Sequence, residues 1–320
     1  MRMFTKPRIE AALDAKSILA AVREGFILHA AGETNIPPPV HLEFPEANGD
    51  GHVKCGAARG MPYFTVKIAT GFYDNGALGL PVNNGLVLAI CAKTGRPEAM
   101  LADEGWMTTQ RTAAAGALAA EVFAPRDVET IGVVGTGEQA CAQLAWLRPI
   151  IRCRTVLAYG RNKGRAERYR ADMVGYGFSV TIANSAEEVA RECRLIVTAT
   201  AARTPLFPAD AVRPGTHITA VGADMPGKQE LDPALFKRAG AIVLDDRAQC
   251  IHHGEFGYAV RSGGVDQNAG VLLGDVLAGK APGRTRDRDI TIADLTGVAV
   301  QDVAIAGLAC TRLLSARSQA

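Results

Sequence analysis

Between residues 130 and 245 the chain alternates short apolar runs with longer stretches of mixed polarity. Ile131 to Val134 is continuously apolar and reads as a short buried strand. Glu138 to Leu147 follows with spacing compatible with a helix. Thr155 to Tyr159 reads as a second strand, Lys163 to Met173 as a polar helix and Ser179 to Ala183 as a third strand. A short helix opened by Ser185-x-x-Glu188 leads to strands at Leu195 to Thr200, Thr216 to Val221 and Ala241 to Leu244. Strands alternating with helices predict a parallel sheet covered on both faces.

The flanks have a different rhythm. A helix is expected over Asp14 to Ala31, then a break at Ile36-Pro-Pro-Pro39. Strand-like runs follow at Val40 to Phe44, Tyr63 to Ala69 and Gly85 to Cys91, with Thr94-Gly95-Arg96-Pro97 as a hairpin turn. Thr108 to Phe123 is alanine-rich and strongly helical, ending at Ala124-Pro125. Val298 to Leu314 is another apolar helix, of the kind that returns to pack on a first domain. The expected class is α/β. A Rossmann-type parallel-sheet domain, residues 125–296, is inserted in a second, α+β domain made of residues 1–124 and 297–320. No internal repeat or low-complexity segment is present.

The turn after the first of the alternating strands carries the chemistry. Gly135, Gly137 and Ala140 have the spacing G-x-G-x-x-A. Gly135 permits the tight strand-to-helix turn, Gly137 lets a pyrophosphate approach the backbone, and Ala140 lets the helix pack on the strand. The helix N-terminus offers N–H groups and partial positive charge to phosphates. The bare hexapeptide also fits an ordinary glycine-rich turn. The strand before it and the helix after it favour a dinucleotide, and with it redox chemistry.

Composition narrows the classes. The 320 residues are 48% hydrophobic and 21% charged, with a net charge of +2. No basic stripe points to nucleic acid, and the mixed tract Arg284-Thr-Arg-Asp-Arg-Asp289 reads as a solvated loop. No signal peptide or membrane-spanning stretch is evident. Seven scattered cysteines without a C-x-x-C fit reduced thiols in a cytoplasmic protein, several of them in core packing. The six histidines form no metal-ligand spacing, no metal is expected, and His252-His253 read as loop residues.

A cofactor domain needs a partner that holds substrate. A small amino-acid-like substrate needs a cation for its carboxylate and an acid or base near its nitrogen. Lys67 lies in an apolar, strand-like stretch, so it is either on an exposed face or in a pocket. Arg111 opens an alanine-rich helix, where a positive charge opposes the dipole and requires an anion or solvent. Lys54 and Arg59 are further candidates. Asp224 follows a parallel strand, where ligands bind, although a turn or capping aspartate fits equally.

Together, Met61-Pro62 with Lys67, Gly79-Leu-Pro81, Thr94-Gly95, Arg111-Thr-Ala-Ala114, Gly135-Thr-Gly-Glu-Gln-Ala140, Gly222-Ala-Asp-Met-Pro-Gly-Lys-Gln-Glu230 and Gly297-x4-Asp302 resemble the ornithine cyclodeaminase/mu-crystallin family along nearly the whole chain. The resemblance implies a homodimer whose first domain binds substrate and pairs subunits. It implies that Lys67 and Arg111 hold the carboxylate and that Asp224 handles protons at the substrate nitrogen. The cofactor-binding set that goes with it is Gly135, Thr136, Gly137, Glu138, Gln139, Ala140, Arg161, Asn162, Thr198, Ala199, Thr200, Val221 and Gly222, with Gly297 and Val298 near the nicotinamide.

The stretches Val53 to Gly56, Val66 to Asn75 and Gly79 to Gly85 look closer to a bacterial branch with iminosuccinate reductases. Ornithine cyclodeaminases carry an arginine near the first proline break. Here none occurs between Arg23 and Arg59, and Lys54 is a candidate replacement. Val82 stands where a hydroxyl residue is common. The expected activity is a nicotinamide-dependent imine reductase or amino-acid dehydrogenase on a small carboxylate, such as iminosuccinate giving aspartate. Lys54 with Arg59 would make a second carboxylate grip. The alternative is a redox-neutral cyclodeaminase of ornithine or lysine with catalytic NAD. A third reading, from mu-crystallin, is a non-enzymatic binder of a small ligand. No acid stands after Tyr159 to bind an adenosine ribose, and Arg161 fits a 2′-phosphate, so both NAD(H) and NADP(H) are open, with NADH tied to the iminosuccinate reading.

Overall fold

The structure, a computed structural model, describes residues 1–315. The chain divides into two compact units, Met1–Arg111 with Val298–Ala320, and Thr112–Gly297. Residues 316–320, which the expected first domain included, lie outside the described residues.

The first unit contains β1 (Arg2–Thr5), α1 (Lys6–Ala12), α2 (Ala15–Ala30), β2 (Thr34–Asn35), β3 (Val40–Phe44), β4 (Gly49–Ala58), β5 (Tyr63–Phe72), β6 (Asn83–Cys91) and β7 (Pro97–Ala102). Asp14 caps α2 by accepting from Ser17 N at 2.9 Å. Gly32, with φ of +72°, turns the chain away from its end. The strands run in the order β1-β7-β6-β5-β4-β2, and β3 also pairs with β4. Neither β4 nor β7 was legible from pattern. β4 has four glycine or alanine residues in its second half and ends, and it owes its conformation to antiparallel neighbours on both sides.

Helix α3 (Trp106–Phe123) begins before Thr108, so Arg111 lies in its second turn. The division between units falls inside this helix, earlier than Pro125. The reason is packing: Gln143 Nε2 donates to Thr112 O at 3.0 Å, and Ala120 joins the apolar core of Ile131 and Leu144.

The second unit continues with β8 (Ile131–Val134), α4 (Glu138–Leu147), β9 (Thr155–Tyr159), α5 (Lys163–Gly175), β10 (Ser179–Ile182), α6 (Ala186–Glu192), β11 (Leu195–Thr198), β12 (His217–Ala220), α7 (Ala234–Arg238) and β13 (Ala239–Leu244). Then come α8 (Arg247–His253), α9 (Glu255–Arg261), β14 (Val271–Leu272), α10 (Leu273–Leu277) and β15 (Ile290–Asp294). All eight strands are parallel, in the order β10-β9-β8-β11-β12-β15-β13-β14. The two-residue period splits them between two cores. Ile131, Val133, Leu195 and Val197 pack with Leu144 and Tyr169, whereas Val134, Ile196 and Ile218 pack with Val189 and Leu235. From β8 the chain moves outward to β9 and β10, then crosses back to β11. The strand order therefore reverses between β8 and β11, where a crevice opens beyond the carboxyl ends.

One expectation is corrected and one refined. His252 and His253 are in helix α8, not a loop, because Asp246 caps that helix by accepting from Gln249 N at 2.6 Å. The tract from Arg284 to Asp289 is a loop exposed at residues 285–288, as expected, but Arg284 itself is half-buried. Its guanidinium donates to Phe123 O and Asp289 O, each at 2.7 Å, and to Thr291 Oγ1 at 3.1 Å. A mixed-sign tract hides such an arginine because its acceptors are mostly backbone carbonyls. The chain re-enters the first unit as α11 (Val300–Ser315), which lies against α2, β4, β5 and β6.

Candidate functional site

The β8–α4 turn is shaped for a phosphate. Gly135 has φ of +121°, and a Cβ there would lie 2.4 Å from Ala199 O. Only glycine fits. Gly137 is the N-cap of α4 and its side-chain position meets nothing within 4 Å, so an anion can approach the backbone. Ala140 is buried against the sheet. The turn borders a cavity of about 830 Å³, also lined by Arg161, Asn162, Arg165, Thr200 and Arg203. Asn162 caps α5, accepting from Arg165 N at 3.0 Å. The one acid on this wall, Glu187, is engaged by Arg191 Nε at 3.1 Å. These features fit a dinucleotide.

A buried carboxylate fixes the loops beside the turn. Glu230 accepts from Thr198 Oγ1 at 2.7 Å, Thr200 N at 2.7 Å, Thr200 Oγ1 at 2.8 Å and Gly222 N at 2.9 Å. It thereby ties the segment after β11 to the segment after β12. Burial raises its pKa, and the bonds from Thr198 and Thr200 oppose that rise. Glu255 in turn accepts from Glu230 N at 2.6 Å and Leu231 N at 2.9 Å. Nearby, Asp245 Oδ2 accepts from Gly297 N at 2.7 Å and Oδ1 from Thr296 Oγ1 at 2.9 Å. Asp224 lies on the segment after β12, half exposed, with Lys228 Nζ at 2.7 Å from Oδ1. Val221 and Val298 are buried.

The first unit holds a second constellation. Lys54 and Lys67 are directly opposite on β4 and β5, and both are buried. Lys67 Nζ donates to Asp302 Oδ1 at 3.0 Å and to Thr108 Oγ1 at 3.3 Å. Arg111 Nε donates to the same Asp302 oxygen at 3.0 Å, and its Nη1 donates to Gln301 Oε1 at 2.9 Å. Burial and the neighbouring Arg111 pull the Lys67 pKa down to about 7, against the pull of Asp302. Burial works against ionisation of Asp302, but Arg111 and Lys67 outweigh it and hold its pKa below the ordinary value. Asp103, which accepts from Met107 N at 2.7 Å, is pushed up by burial. Three basic side chains are thus buried beside the carboxylates of Asp302 and Asp103, where a bound carboxylate would find donors already in place.

The sequence candidates separate by position. Lys54, Lys67 and Arg111 come together. Arg59 stands apart, its side chain 77% exposed and paired with Glu33 at 3.0 Å, because it lies in the turn beyond the end of β4. Asp302 and Gln301 carried no assigned role in the sequence reading. The available signal was an acid inside an otherwise apolar helix, which cannot be buried without a cation. Gln301 and Glu230 offered no comparable signal, since their roles depend on contacts remote in sequence.

The model of the ornithine cyclodeaminase/mu-crystallin family matches residues 1–316. An iminosuccinate reductase of Paracoccus denitrificans is 35% identical over 213 residues, 67% of this chain and 65% of that protein. A solved archaeal alanine dehydrogenase dimer with bound NAD is 35% identical with a TM-score of 0.89, covering 98% of this chain and 96% of that one. The Delta(1)-pyrroline-2-carboxylate reductase of Thermococcus litoralis, solved with NADH and L-proline, is 26% identical with a TM-score of 0.92, covering 99% and 98%. Fold, motifs and full-length match agree: the chain belongs to the ornithine cyclodeaminase/mu-crystallin family.

Proposed function

We propose that this protein is a nicotinamide-dependent oxidoreductase that reduces the C=N bond of a small imino acid, or oxidises the corresponding amino acid. The observation that carries the reading is the cluster of buried basic side chains, Lys54, Lys67 and Arg111, around Asp302. Lys67 and Arg111 neutralise and orient a substrate carboxylate, which fixes the reacting carbon. When bound, the nicotinamide supplies a hydride to that carbon or accepts one from it. Asp224 manages the balancing proton at the substrate nitrogen, directly or through water. Gly135 to Ala140, Arg161, Asn162, Thr198 to Thr200, Val221, Gly222, Gly297 and Val298 serve the cofactor, which is NAD(H) or NADP(H). Lys54 as a third cation suits a second carboxylate, so a dicarboxylic imine such as iminosuccinate, giving aspartate, is the favoured substrate. Seven free thiols fit a cytoplasmic enzyme.

The outer face of the first unit's sheet supports pairing with a second copy. Val40, Val53, Ile68 and Leu86 form one row across it, and Cys55, Val66, Leu88, Met100 and Met3 another. Met3, Val40 and Ile68 are exposed there. A continuous apolar sheet face fits a dimer interface.

The test is oxidation of NADH and NADPH, followed by absorbance, with oxaloacetate or other 2-oxo acids plus ammonia. Turnover is expected. In Lys67→Ala, kcat/KM should fall by at least about 100-fold while nucleotide binding persists. Absence of oxidation with every acid, together with ammonia release from ornithine or lysine and catalytic NAD, would replace this reading by cyclodeamination.

A further inference from the structure

Two polar atoms at the start of α11 lack hydrogen-bond partners among the described residues, although both are buried. They are Gln301 Nε2 and Asp302 Oδ2, on residues 0% and 2% exposed. Their sister atoms are engaged: Asp302 Oδ1 by Lys67 and Arg111, and Gln301 Oε1 by Arg111 Nη1 at 2.9 Å. The guanidinium only donates, so the Gln301 atom facing it must be the carbonyl oxygen. This fixes the orientation of the amide and leaves its NH2 group without an acceptor. A buried donor without an acceptor is destabilising. Lys67 and Arg111 stand beside this donor, so a carboxylate is the acceptor that all three could share.

We infer that Gln301 is a substrate-binding residue, whose Nε2 donates to the substrate carboxylate held by Lys67 and Arg111. The inference rests on the functional reading above and adds a neutral, oriented donor to the cationic grip. Arg111 then has two tasks, pairing with the carboxylate and setting the amide that assists it.

Replacement by glutamate separates this role from simple support of Arg111. Gln301→Glu keeps an acceptor for Arg111 but puts a carboxylate oxygen where the donor was. Gln301→Leu removes both. The full-length variants are assayed with NADH or NADPH, ammonium chloride and varied oxaloacetate or pyruvate. In both variants KM for the 2-oxo acid should rise by about 10- to 100-fold, with reduced-nicotinamide affinity unchanged by fluorescence titration. A wild-type KM in Gln301→Glu with a raised KM in Gln301→Leu would reduce Gln301 to an anchor for Arg111 and overturn the inference. Wild-type protein that turns over no 2-oxo acid would instead overturn the functional reading, and this assignment with it. Should Gln301→Glu not fold, a crystal structure of the wild type with bound L-aspartate or L-alanine decides. Nε2 within hydrogen-bond distance of the ligand carboxylate supports the inference, and a carboxylate bound away from it refutes it.

Discussion

Lys67 shows how one residue's surroundings set both its chemistry and its pH range. Burial and Arg111 bring its pKa down to about 7, whereas an unfolded lysine titrates near 10.5. Between those values the unfolded chain binds more protons at this site than the folded chain does. The site's contribution to stability therefore rises with pH through that window and is lost as pH falls through about 7. Binding of a carboxylate runs the other way, because only protonated Lys67 attracts it. In the wild type kcat/KM for the acid should fall as pH rises above about 7. Lys67→Arg, whose charge does not titrate in this range, should lack that limb although its absolute rate is lower. A pH profile of kcat/KM for the two proteins checks this. A lysine in an apolar strand was legible as a candidate, but the face it takes was not. Lys54 and Arg59 look alike in sequence, and only the end of β4 between them sends one inward and the other to solvent.

Elements built from local signals were the most legible. The bounds of β8, α4 and β9 follow directly from an apolar run, a glycine turn and the polar helix α5 after β9, which Asn162 caps. Their determinants lie within a few residues of each other. The β8–α4 turn also gives a sharp prediction, because a Cβ at Gly135 would strike the Ala199 carbonyl and φ there is positive. Gly135→Ala should cost about 1–3 kcal/mol of stability and weaken dinucleotide binding, as read by thermal unfolding and fluorescence titration. Gly137→Ala has room for its methyl group, so it should cost less stability while still crowding a bound phosphate. In contrast, β4 and β7 became strands through pairing with partners distant in sequence, and their own composition did not announce them. The Glu230 clasp was illegible for the same reason, since it joins loops after two different strands.

For the whole molecule, the change of rhythm at each end of residues 125–296 is what predicts an inserted unit. The structure divides within α3, where no break in helical pattern marks a boundary. The apolar outer face of the first sheet was equally hidden, since it emerges only when six strands are set in register. If that face pairs two copies, Ile68→Glu should shift the protein from dimer to monomer in sedimentation velocity at micromolar concentration. A wild-type monomer under the same conditions would remove the interface.

Strand β5 places Lys67, 3% exposed, on its inner face and Ile68, 39% exposed, on the outer one. The alternation has a consequence for how such a chain tolerates change over time. Substitutions along β5 act on one face or the other and can be selected separately. Loss or gain of a single residue would exchange the two faces at once, sending the ammonium outward and the isoleucine in among cations. Insertions and deletions should therefore accumulate in the segments that join the strands, between Arg59 and Pro62 or between Tyr73 and Val82. The length of β5 itself is the inherited quantity.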